Sequence, residues 1–108
     1  MKHGRARTEI PLATSEGIKA MDVGWLSDAR IPRREAYAVL ETAPEICVEV
    51  VSSSKVRAEL DERRRLFFER GASEVWFCDA EGNLEFFAPA GRIPKSALCP
   101  KFPARLAT

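Results

Sequence analysis

The residue in this sequence that points most directly to chemistry is Glu49, a carboxylate in the middle of an apolar run. Its neighbours along the chain are Val48 and Val50, and in a strand Cys47 and Val51 would share its face. Removing a lone carboxylate from water costs on the order of several kcal/mol, which is comparable with the whole stability of a small domain. Glu49 must therefore be paired, be protonated, bind a cation, or lie at the open end of a sheet.

Asp22 raises the same question in a milder form, since it lies between Met21 and Val23. Two acidic side chains on neighbouring strands would supply hard oxygen ligands. Mg²⁺ takes carboxylate oxygens and keeps several waters for a substrate phosphate. The alternative interpretation is that each acid is partnered by an arginine and binds no metal.

Arg63 falls on the apolar face of a predicted helix. Val56, Leu60 and Phe67 form an apolar stripe at helical spacing. Arg63 fills the gap in that stripe, three residues after Leu60 and four before Phe67. An inward-facing arginine needs an anion, and Glu49 or a bound phosphate is the natural candidate. The alternative is that only the aliphatic stem is buried and the guanidinium reaches water.

The elements that must position these residues follow from periodicity and turn signals. Strands are predicted over 8–12, 18–26, 46–51, 74–79 and 84–88, and helices over 34–40 and 55–70. Ser52, Ser53 and Ser54 offer N-caps for the longer helix, and Gly71 fits its C-terminal stop.

The order of these elements predicts the fold class, which is α/β with a mixed central β-sheet flanked by helices. Residues 46–79 read as strand, helix, strand, so those two strands should be parallel, whereas the earlier strands and the late hairpin should be antiparallel. Alternation over 18–26 places Met21, Val23 and Trp25 on one face and Asp22 on the other.

Composition limits the classes of function. The 108 residues suffice for one domain, 1–108, in which residues 1–7 are expected to be a disordered tail. A net charge of +1 gives no global basic field, so any nucleic-acid contact must use local clusters. The three cysteines form no metal or disulfide pattern, and the one histidine lies in the tail. We expect a cytoplasmic protein with no signal peptide and no membrane span.

Three segments together resemble the bacterial Uma-type "putative restriction endonuclease" family of the PD-(D/E)XK nuclease superfamily. Residues 19–27, KAMDVGWLS, are similar to its "PDVAWVS" segment. Residues 48–52, VEVVS, are similar to "VEVLS", and residues 71–79, GASEVWFCD, are similar to "GVxEYWLVD". The resemblance covers about residues 18–90, with the order and rough spacing kept.

The resemblance implies a restriction-endonuclease-like core, N-terminally shortened, and hydrolysis of DNA phosphodiester bonds assisted by Mg²⁺ or Mn²⁺. Asp22 and Glu49 would hold the metal with the Val50 carbonyl, and Asp22, Glu49 and Arg63 would be the catalytic residues. The superfamily's lysine after the glutamate falls at Val51 in this chain, and the lysine of the family's helix falls at Arg63.

The partners expected are DNA and a second copy of the chain, so that two sites address two strands. The candidate nucleic-acid-binding residues are Lys55, Arg57 and Arg64. One alternative is a catalytically degenerate nuclease-fold protein that only binds nucleic acid or a protein, with Glu49 and Arg63 as a buried ion pair. A further alternative is an interaction protein with an exposed aromatic patch drawn from Phe67, Phe68, Trp76, Phe86 and Phe87.

Overall fold

A six-stranded mixed sheet with one α-helix on one face makes up the part of the chain that the structure describes, residues 3–32, 39–52 and 55–106 of a computed structural model. The strands are β1 (Gly4–Thr14), β2 (Gly17–Ser27), β3 (Ile46–Val50), β4 (Glu74–Cys78), β5 (Leu84–Ala88) and β6 (Gly91–Ile93), the helix is α1 (Arg57–Glu69), and a 3₁₀ turn covers Asp28–Arg30. The strands are neighbours in their sequence order. No helix in this described part is long and apolar enough to span a membrane.

The first hairpin is longer than the sequence predicts. β1 and β2 each contain 11 residues and pair from Gly4–Ser27 to Thr14–Gly17. Residues 4–7 therefore belong to β1, and their assignment to a disordered tail was wrong. At Gly4 an added Cβ would clash with the indole of Trp25 and the carbonyl of Leu26, so the missing side chain allows the strands to pair there.

The predicted parallel pair is confirmed, because β3 and β4 run parallel and α1 connects them. The helix ends as expected at Gly71, whose φ of +94° suits glycine. Its N–H donates to the Phe68 carbonyl, and the N–H of Ala72 donates to the Phe67 carbonyl, which is the Schellman arrangement. At the other end the N-cap is Val56 without a side-chain cap.

Two features predicted from the sequence fall largely outside the described residues. Most of the helix predicted over 34–40 lies outside the described residues, as do two of the three serines proposed as N-caps. Leu40, which is described, forms an isolated parallel bridge with Leu12 of β1.

The sheet carries an apolar cluster on each face. The helix side buries Leu12, Met21, Leu26, Cys47, Leu60, Phe67, Val75, Phe77 and Phe87. The other side buries Ile46, Trp76, Leu84 and Phe86, against which Trp25, Val48 and Phe102 pack. The aromatic residues proposed as an exposed patch are thus core residues, apart from the half-buried Phe68. The interaction-protein alternative loses its main support.

A buried carboxylate, Glu74, connects the segment after β6 to β4 through hydrogen bonds. Its Oε1 accepts hydrogen bonds from the Trp76 indole at 2.8 Å and the Ser96 hydroxyl at 2.6 Å. Its Oε2 accepts from the N–H groups of Ala97 and Leu98 at 2.8 and 2.9 Å. Burial alone would raise the pKa of Glu74, but these hydrogen bonds outweigh it and hold the pKa below its ordinary value.

Replacing Glu74 by Gln should lower the free energy of unfolding by about 2 kcal/mol at neutral pH, because the amide cannot accept all four hydrogen bonds. The folded pKa is depressed, so this contribution is present above the ordinary value of 4.5 and is lost as pH falls through the folded pKa. Urea denaturation measured from neutral to acid pH checks both points. Glu81→Gln, at an exposed position, is the control; equal unfolding midpoints for the two variants would contradict the role of Glu74.

Candidate active site

The predicted acidic residues meet where β2 and β3 separate. The antiparallel ladder between β2 and β3 runs from the pair Trp25–Ile46 to the pair Val23–Val48, where it ends. The next pair in that register would be Asp22 and Glu49, and their carboxylates replace the missing backbone bonds. The N–H of Asp22 donates to Glu49 Oε2 at 2.9 Å. The N–H of Val50 donates to Asp22 Oδ2 at 2.8 Å.

Glu49 is completely buried and pairs with Arg63, which the helical spacing predicts to face inward. The Nε of Arg63 donates to Glu49 Oε1, and its Nη2 donates to the carbonyl of Ala20. The guanidinium also lies 5.5 Å from the centre of the Phe67 ring. Both oxygens of Glu49 are thus hydrogen-bonded, one to an arginine and one to a backbone amide, which offsets the cost of burying the charge.

Asp22 is the accessible acid of the pair, with 37% of its side chain exposed. The Nζ of Lys55 donates to Asp22 Oδ2 at 2.9 Å and to the Val50 carbonyl at 3.0 Å. Partial burial alone would raise the pKa of Asp22. The hydrogen bonds from Lys55 and the Val50 N–H, together with the charges of Lys55 and Arg63, outweigh burial and lower that pKa. Asp22 is therefore ionised at neutral pH.

One residue of β1 beside Asp22 has an unusual backbone conformation. Glu9 lies between the pairs Thr8–Val23 and Ile10–Met21, so it is opposite Asp22. Its φ of +51° is the only positive value among the non-glycine residues described, and it is a strained conformation for a side chain of this kind.

The strict alternation of faces predicted for β2 is wrong between Met21 and Trp25. Met21 packs in the helix-side cluster with Leu26, whereas Trp25 packs on the opposite face of the sheet. Strict alternation would have placed Met21 and Trp25 on the same face.

Arg57 and Arg64, two of the candidate nucleic-acid-binding residues, contact acidic and aromatic side chains of the fold. The guanidinium of Arg57 pairs with Glu85 at 2.8 Å and lies over the Phe77 ring. Arg64 lies 4.2 Å from the centre of the Phe87 ring. Arg57 and Lys55 line the same small cavity, of about 220 Å³, whereas Arg64 lines a different one. The assignment of Lys55, Arg57 and Arg64 to nucleic-acid binding stays a prediction.

The site offers a divalent cation two carboxylates and one backbone carbonyl, from Asp22, Glu49 and Val50. The described residues contain no cluster of three or more histidine, cysteine or acidic side chains suited to a metal. Two carboxylates with the remaining positions left to water and phosphate is nevertheless a donor set that Mg²⁺ accepts. The ammonium of Lys55 lies between Asp22 Oδ2 and the Val50 carbonyl, so these two oxygens already hold a positive charge.

Comparison with known proteins identifies the family of this chain. The family model described as "Uma2: Putative restriction endonuclease" matches residues 4–95. The chain belongs to the Uma2 family. No curated protein gives a significant match.

Among solved structures, the Uma2 chain is similar to "a putative nuclease belonging to DUF820" from Anabaena variabilis ATCC 29413. The TM-score is 0.69 and the sequences are 20% identical, so the likeness supports the fold. The match covers 80% of this chain and 50% of that chain, so this chain spans about half the length of that protein. Together the two comparisons confirm the family resemblance and the mixed α/β, restriction-endonuclease-like fold class.

Two features of the site had no adequate interpretation in the sequence. Lys55, which is predicted to bind nucleic acid, contacts Asp22 and the Val50 carbonyl, and nothing in the sequence indicates this contact. The strained Glu9 carried no signal, since nothing in its residue type favours a positive φ.

The buried ion pair between Glu49 and Arg63 should affect the stability of the fold. Arg63→Met should lower the free energy of unfolding by about 3–5 kcal/mol, because it leaves the Glu49 charge buried without its partner. Arg63→Lys should cost less. Urea denaturation of Arg63→Met, Glu49→Gln and the double variant measures the coupling, expected at about 1–3 kcal/mol.

The matched control is Arg65→Met on the same helix, where the half-exposed ion pairs with Glu62 and Glu69 should contribute about 0–1 kcal/mol. Strictly additive effects of the Arg63 and Glu49 substitutions would contradict a direct buried ion pair.

Proposed function

We propose that this Uma2 protein is a Mg²⁺-dependent endonuclease that hydrolyses phosphodiester bonds in DNA. The observation that carries the proposal is the meeting of Asp22, Glu49 and the Val50 carbonyl at one edge, where a lysine already binds as a cation. Membership of a family described as restriction endonucleases supports DNA as the substrate.

In this proposal Asp22, Glu49 and the carbonyl of Val50 hold the metal, with Mn²⁺ able to replace Mg²⁺. When bound, the ion supplies a water of lowered pKa and stabilises negative charge on the phosphate. The chain's own contribution is positioning. The β2–β3 ladder brings the two acids side by side, and Asp22, the more exposed acid, faces the substrate.

Arg63 acts on the site through Glu49. Its guanidinium compensates the buried charge of Glu49 and fixes one of its oxygens, so that Glu49 stays in place at the edge of the sheet. An arginine does not release its proton in proteins, so Arg63 is not the proton carrier that a lysine at this position would be.

The alternative function is a degenerate nuclease fold that binds without cutting. The observation in its favour is that Glu49 already has a hydrogen bond on each oxygen, one of them from Arg63. Under this alternative the pair is purely structural and Mg²⁺ does not bind. Isothermal titration calorimetry with Mg²⁺ separates the two functions, because binding in the micromolar range contradicts the degenerate alternative.

Location and assembly complete the proposal. Cys47, Cys78 and Cys99 are free thiols, which is typical of a reducing compartment, and we propose the cytoplasm. We also propose a homodimer, in which each copy addresses one DNA strand.

The activity is tested by incubating supercoiled plasmid with the protein and Mg²⁺. Asp22→Asn should reduce the cleavage rate at least about 100-fold, because it removes a charged ligand of the metal ion proposed to act on the phosphate. The amide oxygen can still accept from the Val50 N–H, so the variant should fold. Asp28→Asn, an exposed acid next to β2, should leave the rate unchanged.

Cleavage by Asp22→Asn at the wild-type rate would indicate a contaminating nuclease. Absence of cleavage by well-folded wild-type protein on supercoiled, linear and single-stranded DNA would favour the degenerate alternative.

The assembly is tested by size-exclusion chromatography with light scattering. The proposal expects the mass of two chains, with or without DNA present, because two strands need two sites. A single-chain mass at every concentration, together with cutting of both strands, would contradict the homodimer.

A further inference from the structure

Lys55 lies in the candidate active site as a cation that is bound to two of its oxygens. Its Nζ is 2.9 Å from Asp22 Oδ2 and 3.0 Å from the Val50 carbonyl oxygen. These are two of the three groups that the proposed function assigns to Mg²⁺. The same Asp22 oxygen also accepts from the Val50 N–H, so it already has two donors.

A divalent cation and this ammonium cannot share those oxygens. Mg²⁺ binds oxygen at about 2.0–2.1 Å, so an ion on Asp22 Oδ2 would lie within about 5 Å of Lys55 Nζ and repel it. An oxygen that already accepts two hydrogen bonds also has no good direction left for a metal. Binding of the ion through Asp22 Oδ2 and the Val50 carbonyl therefore requires Lys55 to give up its position.

The two cations of the site differ in how firmly they are held. Arg63 extends from the middle of α1 to the fully buried Glu49 and to the carbonyl of Ala20. Lys55 precedes the helix, in the connection between β3 and α1, and 27% of its side chain is exposed. Moving Lys55 leaves Glu49 paired with Arg63. Moving Arg63 would leave the buried Glu49 carboxylate without its partner, which is costly.

We propose that Lys55 is a built-in counter-ion of the metal site, which binds Asp22 and the Val50 carbonyl in the metal-free protein and is displaced by the divalent cation. The inference rests on the proposed function, since it requires the metal to use those oxygens. Lys55 thereby lowers the affinity for the metal. Once displaced, the ammonium stays tethered at the same edge, where it can pair with a substrate phosphate.

The test is titration calorimetry of the full chain with Mg²⁺, repeated with Mn²⁺ followed by electron paramagnetic resonance. Lys55→Met should bind Mg²⁺ about tenfold more tightly than wild type, since one charge-assisted interaction no longer has to be broken. Lys55→Arg keeps the positive charge and should remain close to wild type. Lys101→Met, an exposed lysine in the C-terminal segment, is the matched control and should not change the affinity.

The outcomes separate this inference from the proposed function. Tighter binding by Lys55→Met, or binding detected only in that variant, supports displacement, provided that Asp22→Asn abolishes it. Equal or weaker binding by Lys55→Met, with clear binding by wild type, overturns the inference and leaves the endonuclease proposal standing. No binding by either protein at millimolar Mg²⁺ overturns both.

A second readout is independent of calorimetry. Without metal, Lys55→Met should melt at a lower temperature than wild type, because Asp22 and the Val50 carbonyl lose their partner. Added Mg²⁺ should then raise the melting temperature of Lys55→Met more than that of wild type. An equal shift in both proteins contradicts displacement.

Discussion

The structure of the site depends on one constraint, the complete burial of the Glu49 carboxylate. The cost of this burial is offset because Arg63 and the N–H of Asp22 each donate a hydrogen bond to one of its oxygens. The same two contacts join three elements, since Glu49 lies on β3, Arg63 on α1 and Asp22 on β2. A buried pair of this kind seldom adds net stability compared with an apolar pair, so its retention is better explained by what it positions.

What it positions is Asp22, at the point where two strands separate. Side chains take over the hydrogen bonding there, because Asp22 and Glu49 each accept from an N–H of the neighbouring strand. The separation leaves Asp22 and the Val50 carbonyl accessible while Glu49 stays covered. The strained Glu9 lies opposite Asp22 on β1, the other neighbouring strand. A strained backbone residue and a candidate catalytic residue are therefore at the same position of the sheet.

Local signals were enough to predict much of this fold. The apolar run around Glu49, the helical spacing of Leu60 and Phe67, and the stop at Gly71 gave the β3–α1–β4 unit and the inward direction of Arg63. The missing parts depend on long-range contacts. Gly4 belongs to a strand because the Trp25 ring and the opposite strand approach it closely, which composition does not reveal.

The same distinction applies to the site. Two acids in apolar strands were visible in the sequence, since burying a charge is costly wherever it occurs. The role of Lys55 was not visible, because the path of the chain after Val50 decides whether that ammonium reaches Asp22 or solvent. Lys55 follows the last residue of β3 by five positions, and its ammonium contacts the carbonyl of that residue, Val50.

The central claim is that the carboxylates of Asp22 and Glu49 and the carbonyl of Val50 bind a divalent cation. A crystal structure of the protein grown with Mn²⁺ tests it most directly. We expect an anomalous density peak within about 2.2 Å of the Asp22 and Glu49 carboxylates and the Val50 carbonyl, with the Lys55 ammonium moved away. An Asp22–Lys55 contact that persists at saturating Mn²⁺, with no peak at this edge of the sheet, would contradict it.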